Sequence, residues 1–288
     1  MEKIDIFCGI SSLGMPFPKE NKNHIGYFDI VKNSLSNMGY EVSGVNVSRL
    51  NKNHTWDLEN NLNQNYSMAQ IKNIQIKSID ALRDANILFK LVVPKKFKER
   101  FCTTEEDKDI TLKELFVSSK NPLFLYSGGP NDFFTYIQAG PVELINKETR
   151  NKLPSNLDSL VEKCIDNVEN NWSFLHELNP NVRIMSLGFY YSPLYDKIQK
   201  IIFLQEKLIN RNKKYENRFG EIINLYNVLL QQKCQKYDFV SFVDISFIKD
   251  YCATMDFHPN TKGNEMIANA ILNSMNYNKE NTSKKVGR

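Results

Sequence analysis

Five short apolar runs, each closing on a polar or glycine-bearing loop, constrain this chain more than any other feature it has. They lie at residues 3–10 (KIDIFCGI), about 40–47 (YEVSGVNV), from 122 to the glycine pair 128–129 (PLFLYSGG), 182–188 (VRIMSLG) and 239–244 (FVSFVD). Each is short, rich in β-branched or aromatic residues and flanked by turn formers, which predicts a buried strand. Between them the apolar residues take up helical spacing. Ile25, Phe28, Ile30, Val31, Leu35 and Met38 do so before Gly39, a C-terminal stop signal. Further helical patterns cover 112–118, 157–177, 196–236 with an expected break near Gly220, and 261–272, where Met266, Ile267, Ala270 and Ile271 share one face. This alternation predicts a three-layer α/β/α sandwich around a mainly parallel five-stranded sheet with right-handed crossovers. Residues 60–120 are less regular. They hold a helical pattern near 68–82 and an apolar run at 87–93 whose type stays open.

The chain has 288 residues, 41% of them hydrophobic, enough for one full core. A single domain over residues 1–276 is expected, with a polar, disordered tail at 277–288. The net charge of +4 comes from lysines interspersed with acids and asparagines, so no nucleic-acid footprint stands out. Cys8, Cys102, Cys164, Cys234 and Cys252 are odd in number and never form a C-x-x-C pair, which argues against a disulfide framework and a zinc site. The first apolar run is interrupted by Asp5 and is too short for a signal-peptide core or a membrane span. These features together predict a cytoplasmic protein without a membrane span. Its oligomeric state is not legible.

The polar signals fall at strand ends, and in open α/β sheets ligands bind outside the carboxyl ends of the strands. Ser11 follows the first strand, and the polar loop 48–56, which contains Asn53, follows the second. Gly128-Gly129-Pro130 presents Asn131 on a tight turn after the third. His258, its backbone stiffened by Pro259, precedes the last helix. Taken singly, each has a plainer reading: Ser11 and Ser12 as turn caps, Asn131 as an Asx-turn residue, His258 as a structural histidine. Taken together, they could supply a nucleophile, a base and donors for an oxyanion.

The order and context of these segments resemble the SGNH (GDSL-type) hydrolase superfamily of esterases and lipases, over roughly residues 3–272. Gly129-Pro130-Asn131-Asp132 matches that family's G-x-N-D block in full, and His258-Pro259-Asn260 with Gly263 and Ile267-Ala268 matches its last block. Three positions depart from the pattern. The G-D-S block reads Gly9-Ile10-Ser11, with Ser12 as an alternative register. The second block reads Asn53-His54-Thr55, with Asn53 in place of the oxyanion glycine. The family's orienting aspartate lies three residues before the histidine, where this chain has Met255; Asp256, two before it, is one candidate for that task, and a backbone carbonyl, which would leave a Ser-His dyad, is the other.

What the resemblance implies is a flavodoxin-like fold and a serine esterase acting through an acyl-enzyme. Ser11 would be the nucleophile, His258 the base and Asp256 its orienting partner. The backbone N–H groups of Ser11 and Asn53 and the side chain of Asn131 would form the oxyanion hole. No metal or organic cofactor is implied, and the expected partner is a small-molecule, glycan or lipid ester. An acyltransferase on the same scaffold and a non-catalytic SGNH-like binding protein remain as alternatives. A phosphate-binding domain lacks a G-x-G-x-x-G or Walker pattern and leaves His258 without a task.

Overall fold

The computed structural model describes residues 2–8, 26–46, 55–63, 65–67, 109–132, 157–193, 200, 204, 207–208, 218–252 and 258–286. The first strand, β1 (Lys3–Cys8), is followed by α1 (Tyr27–Asn37) and β2 (Glu41–Asn46). Gly39 has φ +89°, a left-handed conformation that suits glycine just past a helix end. After a 3₁₀ turn at Thr55–Asp57 come the short α2 (Leu58–Leu62), β3 (Asn65–Ser67), β4 (Asp109–Thr111) and α3 (Leu112–Ser118). Helix α3 spans the residues its periodicity predicts, and it starts where it does because of a capping box. Glu114 N–H donates to Thr111 Oγ1 at 3.0 Å, while Thr111 N–H donates to the Glu114 carboxylate at 2.7 Å.

The chain then forms β5 (Pro122–Tyr126), α4 (Leu157–Leu178), β6 (Arg183–Leu187), α5 (Arg218–Cys234) and β7 (Val240–Val243). A 3₁₀ helix at Ser246–Tyr251 leads to α6 (Thr261–Val286). The main sheet has the order β2-β1-β5-β6-β7 with every pairing parallel. The expected five-stranded α/β architecture is therefore what the chain adopts. β1 lies inside the sheet with β2 on one side and β5 on the other, so the strand order reverses at β1. In open α/β sheets such a reversal marks the strand end outside which ligands bind, here the carboxyl end of β1.

Alternation along the strands divides the core in two. Ile4, Ile6, Cys8, Leu123, Leu125, Met185, Leu187 and Val243 pack with α1 and α6, while Phe7, Phe124, Tyr126, Ile184 and Val240 pack with α3, α4 and α5. Trp172 of α4 is fully buried in the second layer, edge-on to Tyr126 and Tyr237.

Helix α5 begins at Arg218 with Gly220 in its first turn, and residues 209–217 before it lie outside the described residues, so the break expected near Gly220 falls partly outside them too. Two expectations differ from the structure. Helix α6 runs on to Val286, into the polar tail expected to be disordered, because no proline or glycine interrupts it before Gly287. The antiparallel pair β3–β4 has three residues per strand, too few to show a period, and was not expected. The helical pattern at 68–82 and the apolar run at 87–93 lie outside the described residues.

At the amino-terminal half of the sheet, Asp5 accepts hydrogen bonds from Ser43 of β2 and from Ser119 after α3, with Lys3 Nζ 3.5 Å away. Burial alone would raise its pKa, but the hydroxyl donors and the Lys3 charge outweigh burial and hold it below the ordinary carboxylate value. The stabilisation is present above the unfolded-state pKa and is lost as pH falls through the lowered folded-state value. Asp5→Asn is expected to destabilise the protein most near neutrality, and the gap to the unaltered protein should begin to close only below about pH 5 and go on closing as pH falls through the lowered value. Urea unfolding at stepped pH measures this; a gap independent of pH would refute it.

Candidate active site

The segment after β5 is shaped by two glycines and a tyrosine from a distant helix. Gly129 has φ +110°, and a Cβ there would meet the Tyr226 hydroxyl at 2.3 Å and Val168 Cγ2 at 2.9 Å. Only glycine lets the backbone pass so close to α4 and α5. The Tyr226 hydroxyl donates to Gly128 O at 2.9 Å, fixing the turn from behind, and Asp132 N–H closes it onto Gly129 O at 3.0 Å. Asn131 and Asp132 are neighbours on the helical turn that follows. Asp132 is fully buried, whereas Asn131 stays partly exposed at the carboxyl edge of the sheet.

The buried Asp132 carboxylate reaches across to the segment that follows β2. It accepts from Thr55 N–H at 2.9 Å and from the Thr55 hydroxyl, and Asn167 Nδ2 of α4 lies 3.3 Å away. One helical turn on, Asn171 Nδ2 donates to Thr55 O at 2.8 Å and to the Tyr126 hydroxyl at 2.9 Å. The threonine backbone is thus held on both its N–H and its C=O. Burial first, and then the Asp132 charge, raises the Tyr126 pKa, and the same two influences act on Cys164. Tyr126 therefore remains a neutral hydroxyl beside the carboxylate.

His258 occupies the turn that enters α6. The strand-like pairing of Cys252 with Pro259 and the bond from Asn260 N–H to Tyr251 O, at 2.8 Å, dock this turn against the preceding 3₁₀ helix. Asn260 caps α6, its Oδ1 accepting from Gly263 N–H at 2.9 Å. Gly263 is required by the docking, since a Cβ there would meet Tyr251 O at 2.5 Å. His258 itself is half-buried. The turn is also tied to α1: Asn264 Oδ1 accepts from Tyr27 N–H at 3.1 Å, and the Tyr27 hydroxyl lies 3.6 Å from the sulfur of Cys8, the last residue of β1.

Of the sequence-predicted site residues, Asn131 and His258 both belong to segments gathered around the carboxyl end of β1. Ser11, Asn53 and Asp256 lie outside the described residues. Sequence reasoning missed Asp132, Thr55, Asn167, Asn171, Tyr226 and Asn264 as residues that hold the site. Asp132 and Thr55 were visible as motif members without a task, and Asn167 and Asn171 as an i, i+4 pair of amides on α4. Among the described residues, no group of three or more His, Cys, Asp or Glu stands together as a metal site, and no helix is long and apolar enough to cross a membrane.

The GDSL-like Lipase/Acylhydrolase model matches residues 29–271. The chain belongs to that family. The match takes in Asn53, Asn131, Asp256 and His258 of this GDSL-like acylhydrolase, while Ser11 lies upstream of it. Among solved structures, the lipase Lip_vut3 from a goat rumen metagenome aligns with a TM-score of 0.51 at 12% identity, over 95% of this chain and 97% of that one. Phospholipase A1 from Streptomyces albidoflavus NA297 aligns with a TM-score of 0.48 at 10% identity, over 95% and 99% of the two chains. At 12% identity the likeness to the rumen lipase speaks for the fold alone. No curated protein sequence matches the chain.

The Thr55–Asp132 contact should carry measurable stability in this acylhydrolase. Removing the carboxylate by Asp132→Ala strands a buried N–H and a hydroxyl, at a cost of about 3 kcal/mol. In a double-mutant cycle, Thr55→Val and Asp132→Asn should be non-additive by about 1 kcal/mol or more, read from denaturant midpoints. Additive losses would show that the two residues do not act as a pair.

Proposed function

We propose that this GDSL-like acylhydrolase is a serine esterase that cleaves a carboxylic ester through an acyl-enzyme. The observation that carries this reading is the G-P-N-D turn after β5, held beside the carboxyl end of β1 with Asn131 at the open edge. Ser11, three residues beyond the end of β1, is the nucleophile. Its Oγ attacks the ester carbonyl carbon while His258 takes its proton, and the carbonyl π electrons move onto oxygen. Collapse of the tetrahedral species breaks the bond to the alkoxy oxygen, which leaves as the alcohol with the proton that His258 returns. Water then repeats the sequence on the acyl-serine and releases the acid.

Asp256 holds the imidazole in the required tautomer. The N–H groups of Ser11 and Asn53 and the Asn131 amide stabilise the oxyanion. The segment carrying Asn53 ends in Thr55, whose backbone is fixed by Asp132 and Asn171. An oxyanion donor works best where its backbone needs no reorganisation as charge develops, and the fixed Thr55 supports that reading for the segment before it. A small-molecule, glycan or lipid ester is the substrate class.

Labelling with a fluorophosphonate, followed by mapping of the modified peptide, tests the nucleophile. Ser11→Ala should abolish both labelling and ester turnover, whereas Ser12→Ala should keep labelling and most activity. An adduct on Ser12, or normal turnover by Ser11→Ala, would overturn the assignment. Asn131→Ala is expected to lower kcat by about two orders of magnitude with little change in KM, because the amide binds charge present mainly in the transition state. A loss confined to KM would identify Asn131 as a ground-state binding residue instead.

A further inference from the structure

Asn264 is a buried amide, 1% exposed, whose bonds run in two directions. Its Oδ1 accepts from Tyr27 N–H at 3.1 Å, across 237 residues of chain. Its Nδ2 donates to the carbonyl oxygens of Asn260 at 3.1 Å and Pro259 at 3.3 Å. None of these bonds is needed by the helix on which Asn264 stands. The backbone N–H of Asn264 already bonds Asn260 O at 3.0 Å, and Asn260 already caps α6 through Gly263. The side chain instead serves what lies on either side of it.

On one side is the start of α1. Tyr27 is the first residue of that helix, so its N–H has no partner within the helix, and Gly26 before it has no side chain to act as a cap. Asn264 supplies the missing acceptor from the far end of the chain. Tyr27 also places its hydroxyl 3.6 Å from Cys8 Sγ. Tyr27 therefore touches the last residue of β1, the strand that Ser11 follows in the sequence. On the other side is the turn of His258, Pro259 and Asn260, held by the two carbonyls that the amide grips.

We infer that Asn264 is a positioning residue that holds the His258 turn against the start of α1 and, through Tyr27, the end of β1. The inference rests on the Ser11–His258 reading above. It makes the placement of the proposed base depend on an amide that grips the carbonyls of its turn. Near-attack geometry is steep enough that a displacement of about 1 Å costs up to about a hundredfold in rate.

The test compares Asn264→Asp with Asn264→Leu. The aspartate variant keeps an acceptor for Tyr27 N–H, so α1 remains capped, and a carboxylate is welcome at a helix N-terminus. At about pH 8, where an aspartate is ionised, it loses both donors to the His258 turn. The leucine variant loses both ties. Turnover is divided by the number of sites titrated with fluorophosphonate, so an unfolded fraction does not count, and a thermal melt accompanies each assay.

Asn264→Asp is expected to lower kcat per titrated site about tenfold or more while KM stays within about twofold. Asn264→Leu should lose at least as much. A merely structural amide would lower the melting temperature and leave kcat per site unchanged. That outcome in the aspartate variant overturns the inference, as would a loss expressed only in KM. Ser11→Ala separates the two levels of failure. If it still turns over, the serine–histidine reading falls and the inference with it; if it is inactive while Asn264→Asp is fully active, only the inference falls.

Discussion

A carboxylate with no exposure to water is the most demanding group in this molecule, and the arrangement around Asp132 follows from satisfying it. A buried charge persists only when hydrogen-bond donors surround it. Here they come from the segment after β2, through Thr55, and from α4, through Asn167. Bringing Asp132 to that position requires Gly129 to pass against Val168 and Tyr226 in a conformation closed to other residues. The same turn sets Asn131 at the open edge. Pulling Thr55 away from the turn after β5 would leave the charge short of donors, so the two are locked to each other.

The second tie lies on the opposite face of the sheet. Asn264 and Tyr27 join the entrance of α6 to the start of α1 and, through Cys8, to the end of β1. Asp132 works within the α4 and α5 layer, and Asn264 within the α1 and α6 layer. The carboxyl end of β1 is therefore bracketed from both layers by polar side chains that have left solvent and cannot relax cheaply. Acyl transfer gains most from groups already in place before charge develops. A parallel sheet alone brings loops to a common edge; these buried amides and the carboxylate set how they sit there.

Legibility from the sequence followed the range of the interactions. The strands were readable because burial on both faces demands continuous apolar runs, and α3 was readable to the residue because its periodicity and cap are local. The β3–β4 pair escaped notice because two three-residue strands more than forty positions apart carry no period of their own. Within the site, G-P-N-D and H-P-N stood out as turn chemistry. The asparagines that hold the neighbouring segments in place looked like surface residues in a chain full of asparagine.

By itself the sequence determined the alternation of strand and helix, hence a parallel sheet whose polar loops gather at one edge, and the order of motifs that marks the family. These rest on periodicity, caps and turn preferences, which act over a few residues. Tertiary structure alone decided the partners: Thr55 with Asp132 across 77 positions, Asn171 with Thr55 across 116, Tyr27 with Asn264 across 237. A polar side chain carries no local sign of which distant backbone group it will satisfy, because that choice is made only when burial removes water as the alternative partner.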